Sequence, residues 1–106
     1  EIGPSLPAEL LSLDLGRNEL GAGGMAELAK HLPQSLESLT LPDCCMGPDG
    51  AALLGPVLPP TLLHLDLKSN NLQAVGGGSL GAFLPSSLQT LDLHRNSLGS
   101  DGCKSL

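Results

Sequence analysis

Two histidines and two aspartates are the residues of this sequence that come closest to a metal site. Imidazole and carboxylate both bind divalent cations, and His64 lies two residues before Asp66 while His94 lies two residues after Asp92. The two histidines therefore occupy different positions within their segments, and the pattern supplies no further ligand to complete a shell. We expect a solvated polar surface here, with no metal ion and no cofactor.

Hydroxyl nucleophiles and phosphate loops are the other chemistries to consider. Ser12, Ser38 and Thr90 are candidate nucleophiles, but a nucleophile needs a neighbouring base and an oxyanion site, and neither is indicated around these three residues. The glycine runs at 21–24 and 76–78 lack the Gly-Lys-Ser/Thr ending of a phosphate-binding loop. We therefore predict no catalytic residue and no enzymatic activity for this chain.

The charge balance and the cysteines exclude some partners and compartments. Five Lys and Arg against eleven Asp and Glu give a net charge of −6, which disfavours a nucleic-acid partner. No apolar run approaches the roughly 18 residues that cross a bilayer, so we expect no membrane insertion. Cys44, Cys45 and Cys103 cannot all pair within one chain, and adjacent cysteines rarely bridge. We expect an intracellular, reducing compartment, the cytoplasm first and an organelle as the alternative.

One pattern recurs along the chain and must position these residues. Segments of the form Leu-x-x-Leu-x-Leu-x-x-Asn/Cys-x-Leu/Met begin 26 residues apart, at Leu10, Leu36, Leu62 and Leu88. We predict a single array over 1–106, with full repeats at 10–35, 36–61 and 62–87, the tail of a preceding repeat at 1–9, and a truncated repeat at 88–106. Since the array begins and ends inside a repeat, we expect a window cut from a longer array.

These residues resemble a leucine-rich-repeat protein. The pattern N-x-L-G-x-x-G, as at 18–24, is similar to the ribonuclease-inhibitor-like class, although a 26-residue repeat is shorter than that class usually shows. The resemblance implies an α/β solenoid, a horseshoe fragment with a parallel β-sheet on its concave face and helices on its convex face. It also implies a protein–protein interaction scaffold within a larger protein or assembly. Two alternatives stay open: an architectural subunit packed through its helices, or the recognition arm of a regulatory enzyme of the GTPase-activator or ubiquitin-ligase type.

The alternation of leucine and polar residues predicts which side chains face outward from the sheet. One outward column is acidic except for one threonine, and its members are Asp14, Thr40, Asp66 and Asp92. This column favours a protein partner with a basic surface, or it serves to keep an exposed sheet soluble. The residues that we expect to bind the partner, on the concave face, are Asp14, Arg17, Thr40, His64, Asp66, Lys68, Asp92, His94 and Arg95.

The turn and the helix of each repeat can also be predicted. Asn18, Asn70 and Asn96 follow the strands, where buried amides would satisfy backbone groups that no ladder pairs. Apolar residues at helical spacing then predict a helix, which would begin near a glycine that recurs every 26 residues. Asp49 suits the N-cap of the second helix, and Pro56 should shorten or distort that helix.

Overall fold

The structure, a computed structural model, describes residues 9–99 and contains four short parallel strands that alternate with three helices. Except for Glu9, the repeat tail predicted at 1–9 lies outside these residues, and the truncated repeat predicted at 88–106 is described only up to residue 99. The elements in chain order are β1 Ser12–Asp14, α1 Gly21–His31, β2 Ser38–Thr40, α2 Gly47–Leu54, β3 His64–Asp66, α3 Gln73–Gly81 and β4 Thr90–Asp92.

The four strands form one sheet in sequence order, and every neighbouring pair is parallel. The register joins residues 26 positions apart, as in Leu13 with Leu39, Leu39 with Leu65, and Leu65 with Leu91. Because the described repeats have equal length, each strand stacks on the next without an offset. The predicted solenoid, with a parallel sheet on one side and helices on the other, is confirmed.

Leucine builds the core that joins the sheet to the helices. The central leucine of each of the first three strands is buried, at Leu13, Leu39 and Leu65, while the residues on either side of it point outward or lie half-buried. Helix residues such as Met25 and Leu54 close the core from the other side and are fully buried. Burying apolar side chains of this size stabilises a fold by about 1.5–3 kcal/mol each.

Helix α2 differs from the prediction at its N-cap and agrees with it at Pro56. Helix α2 ends at Leu54 and continues as a single 3-10 turn, Gly55–Val57, because proline has no N–H to donate to the preceding turn. The prediction that Asp49 caps α2 is wrong. The cap position is Met46, and Asp49 lies in the first turn, where a carboxylate still favours the positive end of the helix dipole.

Each helix begins three residues before the recurring glycine, near it as predicted, so that the glycine lies in the first helical turn and permits close packing there. A Cβ on Gly50 would lie 2.5 Å from Cγ of Met46 and 3.2 Å from Cγ of Met25. A Cβ on Gly76 would lie 3.3 Å from the backbone Cα of Pro48 in the neighbouring helix. The small residue is therefore required by close packing against the start of its own helix and against the neighbouring repeat.

Buried asparagines tie successive turns together, as predicted for two of the three positions. Asn70, only 1% exposed, accepts hydrogen bonds from the backbone N–H of Cys44 (2.8 Å) and Met46 (3.3 Å) and donates to the carbonyl of Leu41 (2.7 Å). Asn96 repeats this arrangement one turn further along. Asn18 is exposed and so differs from the prediction in burial, because no described repeat lies in front of its amide, but the amide still donates to the carbonyls of Leu15 and Gly16 at 2.7 and 3.3 Å.

A cysteine takes the asparagine position in the second repeat. Cys44 is fully buried, and its thiol donates weakly to the carbonyl of Leu15 at 3.3 Å. Burial raises the pKa of the Cys44 thiol, so the neutral form is favoured. The thiol supplies one donor, and its sulfur takes the place of the asparagine oxygen as a weaker acceptor for the backbone N–H groups of Asn18 and Arg17.

Candidate functional site

The outward side of the sheet carries the nine predicted site residues, all of which the structure describes. We call this surface the strand face. It consists of the outward strand residues and the turn residues that follow them: Ser12, Asp14, Arg17, Ser38, Thr40, Pro42, Asp43, His64, Asp66, Lys68, Ser69, Thr90, Asp92, His94 and Arg95.

The acidic column of the strand face forms as the repeat spacing predicts. The strand register aligns Asp14 with Thr40, Thr40 with Asp66, and Asp66 with Asp92. Adjacent parallel strands lie about 4.8 Å apart, so Asp66 and Asp92 place two carboxylates side by side. Two like charges at this spacing repel each other unless a cation lies between them.

Lys68 is that cation. Its Nζ lies 3.7 Å from Oδ2 of Asp66 and 3.8 Å from Oδ2 of Asp92, and the lysine is roughly half exposed. Ion pairs at this exposure add little to stability because water screens them. Their main effect is positional, since one lysine holds two carboxylates of neighbouring strands in a shared orientation.

Asp92 has a second partner in His94. Nδ1 of His94 lies 2.6 Å from Oδ1 of Asp92, and the backbone N–H of His94 donates to the same oxygen at 3.1 Å. These hydrogen bonds, that of the side chain first, lower the pKa of Asp92 below its usual range. Asp92 is therefore a carboxylate throughout the physiological pH range. The imidazole itself is 81% exposed and remains open to a partner.

The second histidine lies apart from this group. Nδ1 of His64 is 2.7 Å from Oγ1 of Thr90 on the neighbouring strand, whereas His94 pairs with Asp92. Within residues 9–99 no group of three or more His, Cys, Asp or Glu side chains is arranged to hold a metal ion. The strand face thus presents two separate polar pairs that are available for hydrogen bonding.

Several shallow depressions lie along the strand face, and His94 lines two of them. One, of about 410 Å³, lies over β3 and β4 between the two histidines. The other, of about 500 Å³, lies beyond the ends of the strands. Its lining residues are Arg17, Pro42, Asp43, Lys68, Ser69, His94 and Arg95. Both are open and present charged and polar side chains beside apolar surface, which suits a segment of another chain lying across the strands.

Ser79 in α3 lies in a sequence that resembles the surroundings of a catalytic serine. Residues 77–81 read Gly-Gly-Ser-Leu-Gly and so match the letters of a G-x-S-x-G nucleophile elbow. An elbow requires a sharp turn between a strand and a helix, but Ser79 lies within α3 and its hydroxyl donates to the carbonyl of Val75 at 3.1 Å. The match is therefore a match of letters alone.

Large apolar side chains are exposed on or beside the helices. Leu53 lies on α2, Val75 on α3 and Phe83 just after α3, and Val75 is 71% exposed. No helix in the described part of the chain is long and apolar enough to cross a membrane.

Comparison with known proteins gives a consistent result. A family model described as Leucine Rich repeat matches residues 10–29, 59–81 and 85–106. Ten solved chains match, among them the leucine-rich repeat-containing protein LegL7 from Legionella pneumophila, with 26% sequence identity and a TM-score of 0.61. That match covers 86% of this chain and 31% of the other, so this chain spans less than a third of its length. No curated protein matches the chain.

Proposed function

We propose, since the chain belongs to the leucine-rich-repeat family, that it binds a protein partner through its strand face. The family implies a role in protein–protein interaction, and its members are generally binding modules and not enzymes. Stacked repeats create an extended surface that such proteins use for binding. The single observation that carries the proposal is the strand face itself, on which four strands align polar and charged side chains in register.

The charge of the strand face supports a partner with basic groups over the acidic column. Asp14, Asp66 and Asp92 supply three carboxylates, and Lys68 is the cation that contacts two of them. Among the described residues Asp14 has no ion pair, and its Oδ1 accepts only the backbone N–H of Gly16 at 2.9 Å. The column therefore keeps an excess of negative charge toward which a basic partner would be steered.

Side chains of the strand face are already held in place, which supports a binding role. Lys68 and His94 are held by the carboxylates, and His64 is held by Thr90. Ordering a free side chain on binding costs about 0.5–1.5 kcal/mol, so a surface that is ordered beforehand loses less of its binding energy.

A second candidate function is that of an architectural subunit packed through its helices. The exposed Leu53, Val75 and Phe83 favour it, because apolar side chains on or beside neighbouring helices could be covered by another chain. A recognition arm of a regulatory enzyme remains a finer form of the first proposal.

The free thiols of Cys44 and Cys45 support our further proposal of a reducing compartment.

Selection from a phage-displayed library of random peptides tests the proposed function. The strand-face variant is Asp66→Asn with Asp92→Asn, which removes two charges and keeps the Oδ1 acceptors of the backbone N–H groups at 68 and 94. The matched control is Glu27→Gln with Asp49→Asn, which removes two carboxylates from α1 and α2.

We expect the selected peptides to be basic and to bind the strand-face variant about tenfold more weakly, with slower association and a smaller salt dependence. The helix control should bind as the unmodified chain does. A library without enriched peptides would contradict the proposal. Loss of binding in the helix control, with normal binding in the strand-face variant, would move the architectural function to first place.

A further inference from the structure

The larger depression of the strand face collects positive charge in an acidic protein. The chain has five Lys and Arg and a net charge of −6, yet Arg17, Lys68 and Arg95 line this one depression together with a single carboxylate, that of Asp43. Three of the five cations of the chain therefore line one depression of about 500 Å³. The sign of this site is thus opposite to that of the acidic column beside it.

Two of the three cations are available to a ligand. Lys68 is engaged by Asp66 and Asp92 at 3.7 and 3.8 Å. Arg17 and Arg95 are exposed, and within residues 9–99 neither guanidinium forms an ion pair. Guanidinium groups bind carboxylates with two parallel hydrogen bonds, which makes exposed arginines suited to acidic groups.

The backbone that carries these arginines is fixed by the repeat. Arg17, Asp43, Ser69 and Arg95 occupy the same turn position in four successive repeats, and we call them the turn file. All four have left-handed backbone conformations, with φ between +55° and +63°. Each of the first three donates its N–H to the carbonyl of the next repeat, at 2.8 to 2.9 Å. The two arginines are therefore held at a set separation.

That separation indicates the length of the ligand. Three steps of about 4.8 Å place Arg17 and Arg95 roughly 15 Å apart along the file. An extended peptide advances about 3.3 Å per residue and turns every second side chain to the same face. Side chains at positions i and i+4 are thus about 13 Å apart and match the two arginines, while the side chain at i+2 lies over Asp43 and Ser69.

We propose that the turn file binds an extended acidic segment of a protein partner, of the pattern Glu/Asp-x-Lys-x-Glu/Asp, laid across the strands. The two carboxylates pair with Arg17 and Arg95, and the central lysine meets Asp43. This inference rests on the proposed function. It adds the charge pattern of the partner segment that contacts the turn file, beside the acidic column. The partner then presents basic groups to the acidic column and acidic groups to the turn file.

The probe is the labelled peptide Gly-Glu-Ser-Lys-Ser-Glu-Gly, compared with its charge-reversed form Gly-Lys-Ser-Glu-Ser-Lys-Gly. Affinity is measured by NMR titration of the isotope-labelled chain. The test variant is Arg17→Gln with Arg95→Gln. The matched control is Lys30→Glu on the exposed side of α1, which lowers the net charge of −6 by the same two units. Unchanged spectral dispersion shows that both variants are folded.

We expect the acidic probe to bind the unmodified chain and the Lys30→Glu control alike, and to bind the double arginine variant about tenfold more weakly. Equal binding of the two peptides, or no loss in the arginine variant, would overturn the inference. Inorganic phosphate that displaces the probe at millimolar concentration would also overturn it, because the site would then hold a simple anion. If library-selected peptides still bound the strand face after any of these outcomes, the proposed function would remain supported although the inference had failed.

Discussion

Replacing Asn70 by alanine is the most direct test of how the turns are held. Two buried backbone groups, the N–H of Cys44 and the carbonyl of Leu41, would lose the hydrogen bonds that they form with the amide at 2.8 and 2.7 Å. A buried backbone group left unsatisfied costs about 1–3 kcal/mol. The longer bond from the N–H of Met46, at 3.3 Å, adds less. Water that enters the space offsets part of the loss, so we expect the free energy of unfolding to fall by about 2–3 kcal/mol.

Two control variants separate this effect from the loss of any polar side chain. Asn18→Ala removes the same side chain from an exposed position, where the amide donates only to carbonyls of its own turn, Leu15 and Gly16. His64→Ala removes an exposed side chain from a strand. Both should change the free energy of unfolding by less than about 1 kcal/mol.

Urea denaturation followed by circular dichroism measures the difference between these variants. A fixed concentration of a stabilising osmolyte in all samples keeps the weakest variant folded at zero urea. The reasoning predicts that Asn70→Ala lies about 1–3 kcal/mol below His64→Ala. Equal midpoints for Asn70→Ala, Asn18→Ala and His64→Ala would refute it, because the buried amide would then contribute no more than an exposed side chain.

Three further predictions concern the backbone, the packing and the pH dependence. Gln73→Gly should raise the free energy of unfolding by about 0.5–1 kcal/mol, because a φ of +62° strains a residue that carries a side chain. Glycine fills this position in the other three repeats. An unchanged or lower urea midpoint would contradict this prediction. Gly50→Ala should lower the free energy of unfolding by about 1–3 kcal/mol, because the new Cβ would lie 2.5 Å from a buried methionine. The control Gly23→Ala has open space around its new Cβ and should cost nothing. A lower melting temperature for Gly23→Ala than for Gly50→Ala would refute the packing argument. The hydrogen bonds that lower the pKa of Asp92 stabilise the fold above about pH 4, and this contribution is lost as the pH falls through the native pKa. The difference in free energy of unfolding between the unmodified chain and His94→Ala should therefore close in acid. A difference that does not change with pH would be inconsistent with the hydrogen bond.

The sheet and its outward columns could be predicted because one spacing controls them. Segments that recur every 26 residues with a single pattern can stack in only one register, and the aligned pairs Asp66 with Asp92 and Leu39 with Leu65 follow from it. The burial of Asn70 also follows, because its repeat has a neighbour on each side within the described residues. Periodicity therefore predicts which residues share a column.

Contacts between columns could not be predicted in the same way. Lys68 lies in a different column from Asp66 and Asp92, and only the rotamers of its long side chain place it between them. His94 and His64 lie on adjacent repeats but turn to different partners, because one follows its strand and the other begins its strand. Rotamer choice depends on the local surroundings and leaves no periodic signal.

A hydroxyl that recurs before each strand is a further periodic signal in the sequence. Ser35, Thr61 and Ser87 recur at the repeat spacing, and each hydroxyl, at the end of its repeat, donates to the carbonyl of the leucine that begins that repeat, at 2.7 Å. This hydroxyl ladder supports the sheet at the end opposite the buried asparagines. A hydroxyl before each strand, repeated at one spacing, would have predicted it.

The central claim is that the strand face, and not the helix side, contacts the partner. The measurement that tests it most directly is NMR chemical-shift mapping of the isotope-labelled chain with a library-selected peptide. We predict that the largest shifts fall on β1 to β4 and on the turns that contain Arg17 and Arg95. Shifts confined to α1, α2 and α3, with β1 to β4 unchanged, would contradict the claim.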